Sequence, residues 1–291
     1  MQNNAAHDPS VDPDDLTIPV SRQELKRNLL LKSLGFGGLT YGAMIMYYLG
    51  YLPLWGLIAA NALFYIRAYL RMHDLCHAFN TRGLVARFLP TALFANPVWG
   101  GTTAFIGTHL DHHKYLGTDR DPWINYYCGH PLRAFFFNMI EPEVNLFNHI
   151  KYKGFNRKLA ENIVFDILFQ VLHLVVFQWA YVTHLIIQRI CHGISIFLFN
   201  FWPHRATFSA NASIGNFNRE TQLKPWAPLL QLFWGKSLVE AAMYHNRHHI
   251  IGQIHEPAHR YVLCSDSGEA TRFTKNWPLH SIQKHADAPI V

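Results

Sequence analysis

Three short histidine clusters carry the chemistry open to this chain. They read H-D-L-C-H over residues 73–77, H-L-D-H-H over 109–113 and H-N-R-H-H over 245–249. His73 and His77 are four apart. In the other two clusters His109 precedes His112 and His113, and His245 precedes His248 and His249, by three and four positions. On a helix such residues share one face, so each cluster can present its imidazoles to one pocket. Neutral imidazole is the commonest protein ligand for a catalytic transition metal. Eight of them exceed the four or fewer that a zinc site takes, and they suit two metal ions.

A further piece lies between the second and third clusters. The run N-F-W-P-H places Asn200 and His204 one helical turn apart. His204 would be a ninth nitrogen ligand, and Asn200 could hold a metal-bound water.

The elements that must position these residues are membrane helices. Of 291 residues, 50% are hydrophobic, 14% aromatic and only 15% charged, against about 25% charged in an ordinary soluble domain. The net charge of +6 does not form one patch. Its basic residues flank apolar segments, which fits a membrane surface and excludes nucleic-acid binding. Cys76, Cys128, Cys191 and Cys264 show no C-x2-C spacing and read as free thiols.

Residues 1–20 are polar and acidic and read as a disordered cytosolic tail. Residues 21–291 read as a single membrane domain. Ser21 and Glu24 form a capping box that opens a basic helix over 21–34. Spans follow over about 34–51 and 54–71, joined by an uncharged turn, and the first histidine cluster lies at the far end of the second span. Pro90, Pro97, Gly100 and Gly101 break the apolar run 83–107, which reads as half-helices at the membrane surface. Residues 162–201 are about twice one span long and split near 180–183, giving spans over about 160–180 and 183–203. An amphipathic helix over 229–244 leads into the third cluster.

Four spans return all three clusters to one face. Lys and Arg crowd that side while both opposite turns are uncharged, as the positive-inside rule requires. The expected fold is therefore all-α and integral to the membrane: four transmembrane helices as two hairpins, with a cytosolic helical cap carrying a histidine-rich di-iron site. Both termini and the site face the cytosol.

The choice of iron comes from function. A site of nine imidazoles beside lipid suits paired iron that activates O2, whereas zinc has no redox chemistry. O2 is then a co-substrate. Removal of two hydrogens from adjacent carbons gives a double bond, and delivery of hydroxyl gives an alcohol. Placement of the substrate decides between them.

The clusters resemble those of the membrane fatty acid desaturase and hydroxylase superfamily, over roughly residues 40–260. H-L-D-H-H-K-Y-L-G-T-D-R-D-P-W, residues 109–123, is similar to the second box of that family with its G-T-x-x-D-P tail, and H-N-R-H-H to the third box of acyl-chain desaturases. Asn200 and His204 match the fourth-span pair of acyl-CoA desaturases. The resemblance implies nine ligands: His73, His77, His109, His112, His113, His204, His245, His248 and His249. It also implies that Asn200 contacts an iron through water, in a four-span bundle with a cytosolic cap. The first box has three residues between its histidines, as in bacterial and plant members. The P-H-R at 203–205 also resembles carotenoid ring hydroxylases and ketolases.

The leading expectation is a fatty acyl desaturase. A lipid or carotenoid hydroxylase or ketolase, or an acyl decarboxylase forming an alkene, is the alternative. A membrane metal transporter is a third class, but transport needs ligands along an intramembrane path and these boxes sit at span ends. Asp74, Asp111, Asp119, Asp121 and Glu240 are candidates to orient the imidazoles through their second ring nitrogen. Arg67 and Arg71 share a face away from His73 and His77, and could hold a substrate head group or snorkel to lipid phosphate. His173, His184 and His192 are isolated on apolar helices and read as bonds to neighbouring helices. No haem, flavin or iron–sulfur spacing is visible. Electrons must then come from an external ferredoxin, rubredoxin or cytochrome with its reductase.

Overall fold

The computed structural model describes residues 17–70, 73, 101–115, 119–127, 129–201, 204, 224–235, 239, 254–255, 261–263 and 269–273. The chain enters as β1 (Thr17–Ser21), so residues 17–20, expected within the disordered tail, form a strand instead. Helix α1 (Arg22–Tyr48) starts directly after Ser21, where the capping box predicts. It runs unbroken, merging the basic segment and the first apolar run. It stops at Gly50, whose φ of 78° suits a helix-ending glycine. The next residue donates its N–H back to the carbonyl of Met46 at 2.9 Å. Pro53 then caps α2 (Leu54–Leu70) in an extended conformation. A π turn at Asn61–Tyr65 interrupts α2, with Asn61 Nδ2 donating to the Leu57 carbonyl at 2.9 Å.

Four helices follow: α3 (Gly101–Tyr115), α4 (Ile124–Tyr127), α5 (Pro131–Met139) and α6 (Glu141–Lys153). Their signals are local. Pro131 starts α5 behind a His130 cap. Glu141 and Glu143 in the first turn of α6, and Lys151 and Lys153 in its last, match the helix dipole. Asn156 accepts the Leu159 N–H at 3.0 Å and caps α7 (Arg157–Ile196), which continues as a π turn to Phe201.

Arg157–Phe201, 45 residues, is long and apolar enough to cross a membrane, with an 18-residue stretch of mean hydropathy 1.8; it is the one such helix among the described residues. Leu54–Leu70 is apolar but shorter. The 45 residues would extend about 68 Å, twice a bilayer core of about 30 Å. They do not run straight. Gln178 has φ 49° and ψ −128°. The Tyr181 hydroxyl donates to Gln170 Oε1, and the rings of His173 and Tyr181 lie 5.2 Å apart. Residues 170 and 181 would be about 17 Å apart along a straight helix, so α7 doubles back at Gln178, close to the expected 180–183.

The hairpin wears its apolar side chains outside. Val164, Leu168, Val171, Val175 and Trp179 are exposed, while Asn162, Asp166, Gln170, His173, His184, Gln188 and His192 are buried. That inverts the pattern of a soluble helix. Contacts order the bundle by depth. Met44, Leu57 and Tyr181 form a buried apolar cluster, near which Tyr41 meets His173. Toward the other end Tyr65 and Tyr69 meet His192. The turns at Gly50 and Gln178 therefore share one end of the bundle.

Beyond the bundle, α8 (Ala227–Trp234) ends at Gly235 with φ 80°, which interrupts the helix expected over 229–244; Val239 is helical again, and 236–238 and 240–244 lie outside the described residues. It packs through Ala227 and Leu230 on Ile66 and Phe199. Strands β2 (Ile254–His255), β3 (Tyr261–Leu263) and β4 (Glu269–Phe273) complete an antiparallel sheet in the order β1-β4-β3-β2. Thr17 pairs with Phe273 and Ser21 with Glu269. The helical body agrees with the expected all-α class, and the sheet is an addition that the hydropathy pattern did not reveal.

Candidate metal centre

Helix α3 presents His109 and His112 on one face, and both are buried. His73, just past α2, approaches His109 with ring centroids 4.5 Å apart. His204, just past the π turn of α7, approaches His112 at 5.3 Å. The structure thus brings four expected ligands, from three distant parts of the sequence, into one buried row. His113 lies on α3, but its side chain is outside the described residues. So are His77, His245, His248, His249, Asp74, Glu240 and Arg71.

Two of the four rings are anchored by Nδ1. His112 Nδ1 lies 2.9 and 3.0 Å from the two oxygens of Asp121. The carboxylate also accepts the Trp123 N–H at 2.8 Å and the Tyr127 hydroxyl. Burial alone would raise the Asp121 pKa. Interaction with the His112 ring, with the bonds from Tyr127 and Trp123, outweighs that and holds it below the ordinary carboxylate value. His204 Nδ1 lies 2.5 Å from the Asn200 carbonyl, one turn earlier on the same stretch. Burial, aided by the nearby His112, pushes the His204 pKa down to about 3, so its ring is neutral at physiological pH.

These contacts are the donor chemistry that a metal requires. A ring that donates Nδ1–H to a carboxylate or carbonyl carries its lone pair on Nε2. His112 and His204 fit a metal in that tautomer. Among the described residues no group of three or more His, Cys, Asp or Glu side chains converges closely enough to hold a metal ion by itself.

The other sequence candidates divide. Asp121 orients an imidazole, as expected. Asp111 does not: it pairs with Lys153 on α6 at 3.2 Å. Asp119 is exposed. Arg67, expected to meet a head group, instead donates to the Phe233 carbonyl at 2.8 Å and lies over the Phe36 ring, tying α2 to α8 and α1. The side-chain nitrogen of Asn200 donates to Asn138 Oδ1 at 3.2 Å, so contact with a metal-bound water would fall to Asn200 Oδ1. His173 bonds Tyr41 and the Phe169 carbonyl, and His192 bonds Tyr65 and sits 2.8 Å from Glu141. Both are the interhelix ties the sequence predicts.

Sequence reasoning missed a second layer. Trp123 packs on His109 and His112 with centroids at 4.8 and 4.7 Å, and Tyr127 stacks on His204 at 4.7 Å. Trp123 Nε1 donates to Asn145 Oδ1 at 2.7 Å, and Asn145 Nδ2 donates to the buried Glu141 at 3.0 Å. Glu141 also accepts the Tyr69 hydroxyl at 2.8 Å. Trp123 stood two places from Asp121 in the motif, but no spacing rule marks an aromatic ring as the wall of a site.

Comparison with protein-family models, with curated proteins and with solved structures finds no match to this chain.

Proposed function

We propose that this chain is a polytopic membrane oxidoreductase in which two irons use O2 to oxidise an unactivated C–H bond of a lipid, in the first place as a fatty acyl desaturase. One observation carries the reading: His112, fixed by Asp121, lies beside His204, fixed by the Asn200 carbonyl. Their sequence positions are 92 apart, yet in each ring Nδ1 meets an oxygen acceptor, which favours the tautomer that offers Nε2 to a metal. His73 and His109 extend the row. The nine-ligand set adds His77, His113, His245, His248 and His249, with Asn200 acting through water.

The reading includes four spans and a cytosolic site. It is supported by the reversal of α7 at Gln178, by the common end of the two turns, and by basic residues gathered at the other end. Electrons would come from an external ferredoxin, rubredoxin or cytochrome.

Bound iron would supply O2 activation. The chain's own residues do the rest. Asp121 and the Asn200 carbonyl hold ring nitrogens in place, and Trp123 and Tyr127 wall the rings from solvent. Preorganised, dry surroundings favour a single course of oxidation over leakage to water.

Purified protein should contain about two irons per chain, the number that the ligand count suits. Membranes of cells carrying the gene should gain acyl chains with one added double bond. Zinc in place of iron would overturn the oxidoreductase reading. An added hydroxyl or keto group would replace desaturation with the hydroxylase or ketolase alternative.

A further inference from the structure

The inward face of α7 is polar along almost its whole length. On the first limb Asn162, Asp166, Gln170 and His173 are buried. On the second, Tyr181, His184, Gln188, His192 and Ser195 are buried. The spacing of three and four puts each set on one helix face. From Asn162 to His173 the row is about 17 Å long. Ionisable and amide side chains inside a membrane helix are costly, and they mark pathways for protons, ions or substrate.

Interhelix bonding alone does not account for this row. Gln188 is fully buried, and neither its Oε1 nor its Nε2 has a hydrogen-bond partner. Gln170 gives its Oε1 to Tyr181, while its buried Nε2 has no partner. Buried amides are normally satisfied, and water is the usual means where protein groups do not reach. Equal counting on either side of Gln178 places Asp166 between Gln188 and His192 in depth.

The two ends of the row differ. At the turn end, Met44, Leu57 and Tyr181, backed by Phe169 and Phe177, close it with an apolar plug. At the other end His192 reaches Glu141. Glu141 connects through Asn145 to Trp123, against His109 and His112.

We infer that the interior of the α7 hairpin is a hydrated, blind proton-relay arm that runs from Asp166 and Gln188 to the Glu141–His192 pair behind the imidazole row. The plug makes it a dead end, not a conduit across the membrane. Its use rests on the proposed oxidation. Desaturation takes two hydrogens from the substrate, two electrons from the donor and two protons, and reduces O2 to two waters. The arm lends those two protons through the Glu141–His192 pair, and two protons from bulk water, entering by that same end because the other is plugged, restore its groups before the next turnover.

The hydration can be tested without iron. In full-length protein in native membranes, with the four native cysteines replaced, Gln188→Cys and Gln170→Cys should react with a small charged methanethiosulfonate. Ile186→Cys, on the lipid-facing side, should react at least about tenfold more slowly, because an unhydrated thiol does not ionise. If both buried cysteines react no faster than the one at 186, the arm is dry and the inference fails. The relay is tested by Asp166→Asn. Turnover should fall with iron content and substrate KM unchanged, and the solvent deuterium isotope effect should rise. Unchanged turnover and isotope effect in iron-loaded protein would overturn the relay. An iron-free chain whose cysteines still react would overturn the oxidoreductase reading while leaving the hydrated arm in place.

Discussion

Two sets of buried imidazoles sit in one bundle and are tied down in different ways. His112 and His204 are each held by Nδ1, to a carboxylate and to a carbonyl, and their rings approach one another. His173 bonds Tyr41 and the Phe169 carbonyl through its two ring nitrogens, while His192 bonds Tyr65 through Nδ1 and holds Nε2 2.8 Å from Glu141. In the first set Nδ1 is the anchored nitrogen, which makes Nε2 the one that would face a metal. In the second, His173 reaches Tyr41 on α1 and the Phe169 carbonyl on its own helix, and His192 reaches Tyr65 on α2 and Glu141 on α6. Burial does not separate them, since all four are nearly inaccessible. What separates them is the kind of partner that holds each ring.

Four experiments press on that contrast. His112→Ala should have the largest effect. Iron per chain should fall, and acyl oxidation should drop beyond the roughly 100-fold that loss of an outer partner reaches. Elemental analysis with a lipid oxidation assay checks this, and full iron content would move His112 into the structural set. Asp121→Asn comes next. It keeps the ring but loses the carboxylate, so iron affinity should weaken by about 10–100-fold in chelator competition, with helix content unchanged.

His192→Phe should behave in the opposite way. It breaks a buried pair with Glu141 and a bond to Tyr65, so thermal unfolding in detergent should show a loss of about 3 kcal/mol. Iron stoichiometry should remain that of the parent protein. Loss of iron with unchanged stability would erase the distinction between the sets.

The smallest effect concerns His149, which belongs to neither set. It is buried against Gly107, and neither ring nitrogen has a hydrogen-bond partner. Burial, then the charge of Lys153, lowers its pKa below 6.5. As pH falls through about 6.5 the unfolded chain takes up a proton that the folded chain resists. Stability should therefore decline below that pH, and His149→Leu should flatten the slope. Unfolding midpoints across mildly acidic pH measure it, and an unchanged slope would remove His149 from the cause.

Local signals explain what could be read early. The capping box at Ser21, the cap at Asn156 and the charge distribution of α6 act within one or two turns, so their helices begin and end close to where those residues stand. The reversal of α7 at Gln178 fell within a few residues of its expected place, in a stretch without charged residues. Long-range pairing was not legible. Nothing in residues 17–20 announces Phe273 as a partner of Thr17. Nor does the periodicity of 229–244 foresee that Gly235 interrupts the helix.

The sequence by itself determined the helical class, the row of candidate ligands and the likeness of its boxes to a known superfamily, because spacing along a helix fixes which side chains share a face. Tertiary structure decided which carboxylate serves which ring. Asp111 and Asp121 were equal candidates in sequence, but Asp111 faces Lys153 while Asp121 meets His112. It also decided that Arg67 braces α8, and that Trp123 and Tyr127 wall the imidazole row. The physical reason is the same in each case. A hydrogen bond depends on atoms within about 3 Å of one another, and only the packed bundle sets distances between residues far apart in the chain.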